Sequence, residues 1–127
     1  MEMVYGVFDF AQIMGAVKTG VKTPQSEIDL YEKLVHEEYR EFCDSKTEEN
    51  KLNETMDLIW VLIGYAITRD WDIPGAWQEL YRANMAKLVF DEEGNLKRRA
   101  DGKIQKPDGW KKPSFKKYLN RDSREAI

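Results

Sequence analysis

With 127 residues, 42% of them hydrophobic and 12% aromatic, the chain has the size and apolar content of one globular domain with a core of its own. Its formal charge of −3 gives no general attraction to nucleic acid or to an anionic membrane, so neither is expected as a partner. Cys43 is the only cysteine, which excludes an intrachain disulfide and suits a reducing compartment. No basic-then-apolar leader precedes the first helical pattern, and no apolar run reaches bilayer length, so the expected location is cytoplasmic.

MVYGVFDFAQIMGAV (3–17) sets Val7, Phe10, Ile13, Met14 and Val17 at helical spacing and predicts an amphipathic helix. KTGVKTPQ (18–25) breaks it with Gly20 and Pro24. Ser26 with Asp29 approximates a capping box, so a second helix is expected from Ser26 to near Cys43, carrying Leu30, Leu34 and Phe42 inward. The polar connector DSKTEEN (44–50) leads to a third helix from about Thr47 to Thr68. In RDWDIPGA, Asp72 is placed to cap a fourth helix with Pro74 in its first turn, running through Trp77, Leu80, Tyr81, Asn84 and Leu88. FDEEGNLKRRADGKIQK holds two turn signals, Glu93-Gly94-Asn95 and Asp101-Gly102, which predict a short β-hairpin or an ordered loop. The last stretch, PDGWKKPSFKKYLNRDSREAI, has little periodicity and is expected to wrap the surface or fray. The expected fold is all-α, one domain over 1–127: a four-helix bundle over about 2–89, then a basic C-terminal hairpin and tail over about 90–127.

Charge is unevenly spread, with acids concentrated in residues 26–57 and nine Lys and Arg in residues 97–117. In EEYRE, Glu38 and Glu41 lie three apart and share a face with Leu34, beside Phe42, where solvated glutamates are not expected. Glu54 and Asp57 are again three apart, at the head of ten uncharged residues, Leu58 to Ile67, that call for deep burial. Two antiparallel helices, each with an inward acid pair, would gather four carboxylates. At about 4 Å and an effective dielectric near 20, each like pair repels by roughly 4 kcal/mol. Such a cluster either protonates or binds cations, and hard oxygen ligands suit Mg²⁺, or Mn²⁺ in its place. An isolated ExxE is ordinarily a solvated helix face; the second pair beside an uncharged run is what argues otherwise. His36 and Cys43 stand alone and are expected to be structural or exposed.

On the fourth helix Asn84 and Lys87 lie three apart, an amide and an ammonium on one face that could grip phosphate oxygens. Lys103 and Lys106 of DGKIQK, with Arg98 or Arg99, could close over the same phosphates. Trp110 would either pack a nucleobase or pin the tail.

EEYRE, twelve residues, then ETMD resembles the EExxE…ExxD signature of the all-α nucleoside triphosphate pyrophosphohydrolases, which include MazG, the dimeric dUTPases and phosphoribosyl-ATP pyrophosphohydrolase. LVHEEYREF, MDLIWVLIGYA and YRANMAKL resemble successive blocks of the small, phage-type MazG-like proteins, and EEGNLKRRADGKIQKPDGW resembles their C-terminal DGK…K segment. The resemblance implies a MazG-like helical bundle that hydrolyses a nucleoside triphosphate to the monophosphate and pyrophosphate. It implies magnesium on Glu38, Glu41, Glu54 and Asp57, with Glu37 as a further ligand or as a base orienting water. Glu37, Glu38 and Glu41 are thus the catalytic candidates. It assigns Asn84 and Lys87 to the substrate site and matches Phe10 and Met14 to an FHxxFG-like block, here FAQIMG, with Ala11 in place of a common histidine. Phe10 and Met14 are then either base contacts or core. A homodimer or homotetramer is implied, in the host cytoplasm if the chain is phage-encoded, and association would also cover the surface of Leu58–Ile67. The rivals are a dUTPase/dCTPase-like activity, phosphoribosyl-ATP hydrolysis, and a non-catalytic helical dimerisation module that needs no converging acids.

Overall fold

The computed structural model describes residues 1–119. It contains four helices, α1 (Glu2–Met14), α2 (Gln25–Asp44), α3 (Glu48–Thr68) and α4 (Ile73–Met85), and a short 3-10 turn at Lys116–Tyr118. The fold is all-α: among the described residues β pairing is limited to isolated bridges. No helix is long and apolar enough to cross a membrane. From residue 120 onward the expected surface tail lies outside the described residues. The chain forms two compact units, Met1–Ile73 and Pro74–Tyr118.

In the first unit α1 stops at Met14, short of the predicted Val17. Gly15 takes a left-handed conformation (φ 80°), and its N–H returns to the carbonyls of Ala11 and Gln12. The chain then doubles back, and Ala16 and Val17 enter the core from a turn rather than from the helix. The buried stripe of α1 is Val4, Val7 and Ala11, while Phe10, Ile13 and Met14 stay exposed.

The capping box expected at Ser26 does not form. Pro24 is the N-cap of α2, with extended dihedrals that already aim the chain into the helix, and no side chain caps it. Asp29 instead accepts from Gln25 Nε2 at 3.0 Å. Tyr31 is the buried residue of α2; Leu34 and Phe42 are half-buried, and Leu30, expected inward, is exposed. At the start of α3, close to the predicted boundary, Thr47 Oγ1 accepts from the Asn50 N–H at 3.1 Å and caps the helix. Ser45 Oγ donates to the Phe42 carbonyl at 2.8 Å, and Lys51 Nζ donates to that carbonyl while lying 4.5 Å from the Phe42 ring. These contacts close a tight helical hairpin.

α2 and α3 run antiparallel, and at Gly64 the Tyr31 ring fills the space a side chain would take. The core gathers Val7, Ala11, Ala16, Val17, Tyr31 and Ile67, with Leu34, Ile63, Tyr65 and Ile73 packed against it. The uncharged run is less enclosed than predicted: Val61, Gly64 and Ile67 are buried, but Trp60 is 41% and Leu62 47% exposed. Packing against α2 and α1 leaves a further side of α3 open, along which Leu52 and Met56 are exposed as well.

In the second unit Pro74 stands in the first turn of α4, as predicted, but the helix ends at Met85 rather than Leu88. Lys87 and Leu88 bond back only three residues, to Asn84 and Met85, so the end tightens out of α geometry. Trp77, Leu80 and Tyr81 are exposed. Residues 89–105 adopt the ordered-loop alternative, folded twice on itself through single antiparallel bridges, Phe90↔Leu96 and Arg98↔Ile104. Asp91 Oδ1 accepts from the N–H groups of Glu93 and Asn95, and Asp101 Oδ1 from that of Lys103. Gly94 and Gly102 supply the positive φ these turns need.

A methyl group at Gly64 would overlap Tyr31 Cε1 and lie 2.8 Å from Cδ1. Gly64→Ala is expected to destabilise the protein by about 1–2 kcal/mol, overpacking outweighing the gain in helix propensity. Urea unfolding measures this; unchanged or raised stability would mean that the two helices do not meet there.

Candidate functional site

The antiparallel hairpin places Glu38 and Glu41 of α2 beside Glu54 of α3. Each offers a carboxylate oxygen, and the three oxygens lie within 4.8 Å of one another. Glu38 Oε2 and Glu54 Oε2 are shut off from solvent without a hydrogen-bond partner. Neither of the ion pairs formed among the described residues involves these acids. Lys51, less than one turn before Glu54, is committed to the Phe42 carbonyl and ring.

Electrostatics follow from this crowding. Burial pushes the Glu38 carboxyl up to about 7, and the charges of Glu41, Asp57 and Glu54 add to the rise. Glu54 is raised as well, by burial first and then by Glu41 and Asp57, with the Asn53 amide partly offsetting the effect. Asp57 is exposed and outside the close trio, yet its charge is felt by both glutamates. Glu37 is exposed and is not drawn into the trio. Three of the five predicted acids therefore converge, Asp57 stands at the margin, and Glu37 stands apart. Three hard oxygen donors, two of them with a desolvated oxygen that nothing neutralises, form a group that could hold a metal ion.

The second unit contains a cavity of ≈ 630 Å³ lined by Asn84, Met85, Lys87 and Leu88 from the end of α4, and by Arg99, Lys103, Ile104 and Lys106 from the loop. Four predicted substrate residues, Asn84, Lys87, Lys103 and Lys106, thus share one basic hollow with an apolar floor. Of the two arginines, Arg99 lines this hollow. Arg98 Nη1 is occupied by the Gly102 carbonyl at 2.9 Å, whereas Arg99 lines the cavity and pairs with Asp101 at 2.9 Å. Trp110 pins its segment: Nε1 donates to the Ala83 carbonyl at 2.8 Å, and Lys87 and Lys106 lie over its ring.

Phe10 and Met14 join neither group. Phe10 meets Trp60 edge-on at 5.3 Å, and both Phe10 and Met14 are exposed. An apolar cavity of ≈ 310 Å³ does lie nearby on α1 and α3, but Met3, Val7, Met56, Ile59, Trp60 and Ile63 line it. Those residues were legible only as core-type apolar positions, because nothing local marks an apolar residue as lining a hollow.

In the unfolded chain Glu38 titrates near 4.5, and in the fold at about 7. Across that window the folded protein holds a proton that the unfolded chain has lost, so metal-free stability falls as pH rises through it. Glu38→Gln removes the titration, and its melting temperature in EDTA is expected to gain on the wild type as pH rises from about 5 to 8. A constant difference between the two proteins across that range would refute the buried, crowded placement of Glu38.

No family model matches the chain, and no curated protein matches it.

Proposed function

We propose that the protein is a Mg²⁺-dependent nucleoside triphosphate pyrophosphohydrolase that converts a (d)NTP and water to the (d)NMP and pyrophosphate. The supporting observation is the trio Glu38, Glu41 and Glu54, each with a carboxylate oxygen within 4.8 Å of the others, and with Glu38 Oε2 and Glu54 Oε2 shut off from solvent. Its placement on consecutive helices follows the EEYRE…ETMD order that resembles the MazG-like enzymes. The basic hollow of Asn84, Lys87, Arg99, Lys103 and Lys106 adds the residue types that phosphate oxygens require.

Glu38, Glu41 and Glu54 would hold Mg²⁺, or Mn²⁺, with Asp57 close enough to join or to bias the site. When bound, the cation polarises phosphoryl oxygens and offsets charge on the departing pyrophosphate. Glu37, exposed and outside the trio, is the carboxylate left free to accept the proton of the attacking water as the new P–O bond forms and the bond to pyrophosphate breaks. The hollow of the second unit, taken by itself, carries ammonium and guanidinium groups of the kind that bind phosphate oxygens.

The exposed apolar side chains of α3, Leu52, Met56, Trp60 and Leu62, support association as a homodimer or homotetramer that covers them. They equally suit a non-catalytic dimerisation module, which is the competing reading. Sedimentation at about micromolar concentration is expected to show a dimer or larger; a monomer would remove this part of the proposal.

Turnover decides between the two readings. A panel of NTPs and dNTPs with Mg²⁺ is expected to yield monophosphate and pyrophosphate in equal amounts from at least one nucleotide. Glu41→Ala or Asp57→Ala is expected to lower that rate by about a hundredfold or more. Full activity in either variant, or no pyrophosphate from any nucleotide, would overturn the assignment.

A further inference from the structure

We propose that Trp110 is a positioning residue: pinned to the end of α4, its indole holds the ammonium groups of Lys87 and Lys106 together at the basic hollow, so that they bind one triphosphate chain as a pair. The inference deepens the proposed function and rests on it only for the choice of a triphosphate as ligand.

Lys87 comes from the tightened end of α4 and Lys106 from the far end of the loop, so nothing local brings them together. Both ammonium groups face the Trp110 ring, Lys87 Nζ at 5.0 Å and Lys106 Nζ at 4.8 Å from its centroid. Both distances fall within cation–π range. Two positive charges drawn to one ring repel each other, and the negative face of the indole offsets part of that repulsion. The ring itself is fixed twice. Nε1 donates to the Ala83 carbonyl, one turn before Lys87, and the Trp110 N–H closes a turn onto the Pro107 carbonyl at 3.1 Å, with Gly109 at φ 81°.

The two lysines also differ from the other cations nearby. Arg99 is paired with Asp101, and Arg98 is bonded to the Gly102 carbonyl. The side chains of Lys87 and Lys106 have no ion pair or hydrogen bond among the described residues, so their charge is available to an anion. Met85, Leu88 and Ile104 line the same hollow, and an apolar lining strengthens such attraction. Trp110 therefore pre-organises a pair of cations that would otherwise be two independent flexible chains.

Calorimetric titration of the full chain with inorganic tripolyphosphate in EDTA tests this without any metal or turnover. Trp110→Leu is expected to weaken binding about tenfold, while Trp110→Phe, which keeps a π face, stays within about threefold of wild type. In a Lys87→Met/Lys106→Met background, Trp110→Leu is expected to add less than about twofold, because the groups it positions are gone. ATP should lose affinity by the same factor as tripolyphosphate; a loss confined to ATP would mean that the indole contacts the base instead and would overturn the proposal. Wild-type binding by Trp110→Leu, or an undiminished loss in the lysine-free background, would overturn it too. Should Trp110→Leu fail to fold, indole fluorescence decides: a tripolyphosphate-induced change is expected in wild type and absent from both Trp110→Phe and the double lysine variant, and its persistence in either would refute the idea. No tripolyphosphate binding to wild type would sink this inference alone, since the hydrolase assignment is judged on Mg²⁺-dependent product formation.

Discussion

The close approach of α2 and α3 is the constraint on which the first unit depends. Gly64 lacks the side chain that would collide with the Tyr31 ring, so the two helices meet there with the ring filling the gap. Ten residues on from Tyr31 along α2 stands Glu41, and ten residues back from Gly64 along α3 stands Glu54, so the same antiparallel register brings those two carboxylates together. A tight connector at the other end, clasped by Ser45 and Lys51 on the Phe42 carbonyl, leaves the hairpin little freedom to slip. The Gly64–Tyr31 contact at one end and the connector at the other thus bracket the acids.

That register creates a local conflict that the protein's own residues leave unrelieved. Carboxylates of like charge are crowded and partly desolvated, and burial with the neighbouring acids pushes Glu38 up to about 7. A lysine within a turn could have relieved it, but Lys51 is used as a structural clasp. Buried acids without partners cost stability, so a cluster of this kind is maintained where function requires it. A hard cation is the counter-charge that fits three carboxylate oxygens, and this links the hairpin register to the proposed chemistry.

The second unit solves the opposite problem, that of keeping like-charged cations near one another. Its loop is held by two aspartate-capped turns and by Trp110 rather than by a β ladder, and Lys87 and Lys106 both lie against the indole ring. The loop geometry also separates the two arginines, since the carbonyl of Gly102 engages Arg98 while Arg99, paired with Asp101, lines the hollow. The acid trio and the basic hollow are therefore each built by pinning side chains to backbone carbonyls: Lys51 to Phe42 in one, Trp110 to Ala83 in the other.

Much of the fold was legible in the sequence because it is encoded locally. The start of α3 falls near Thr47 as its polar connector indicates, Pro74 stands where a first turn tolerates it, and Gly94 and Gly102 mark turns that need positive φ. The three-residue spacing of Glu38 with Glu41 and of Glu54 with Asp57 likewise puts each pair on one helix face whatever surrounds it. Only the tertiary structure decided which apolar residues became core, since Val4, Val7 and Ala11 and the exposed Phe10, Ile13 and Met14 fit helical periodicity equally well. It also decided that Glu38, Glu41 and Glu54 form the tight trio with Asp57 at its edge, and that Trp110 faces two lysines. Periodicity specifies what lies on one face of an element; what that face meets depends on the shape and register of a partner far away in the chain.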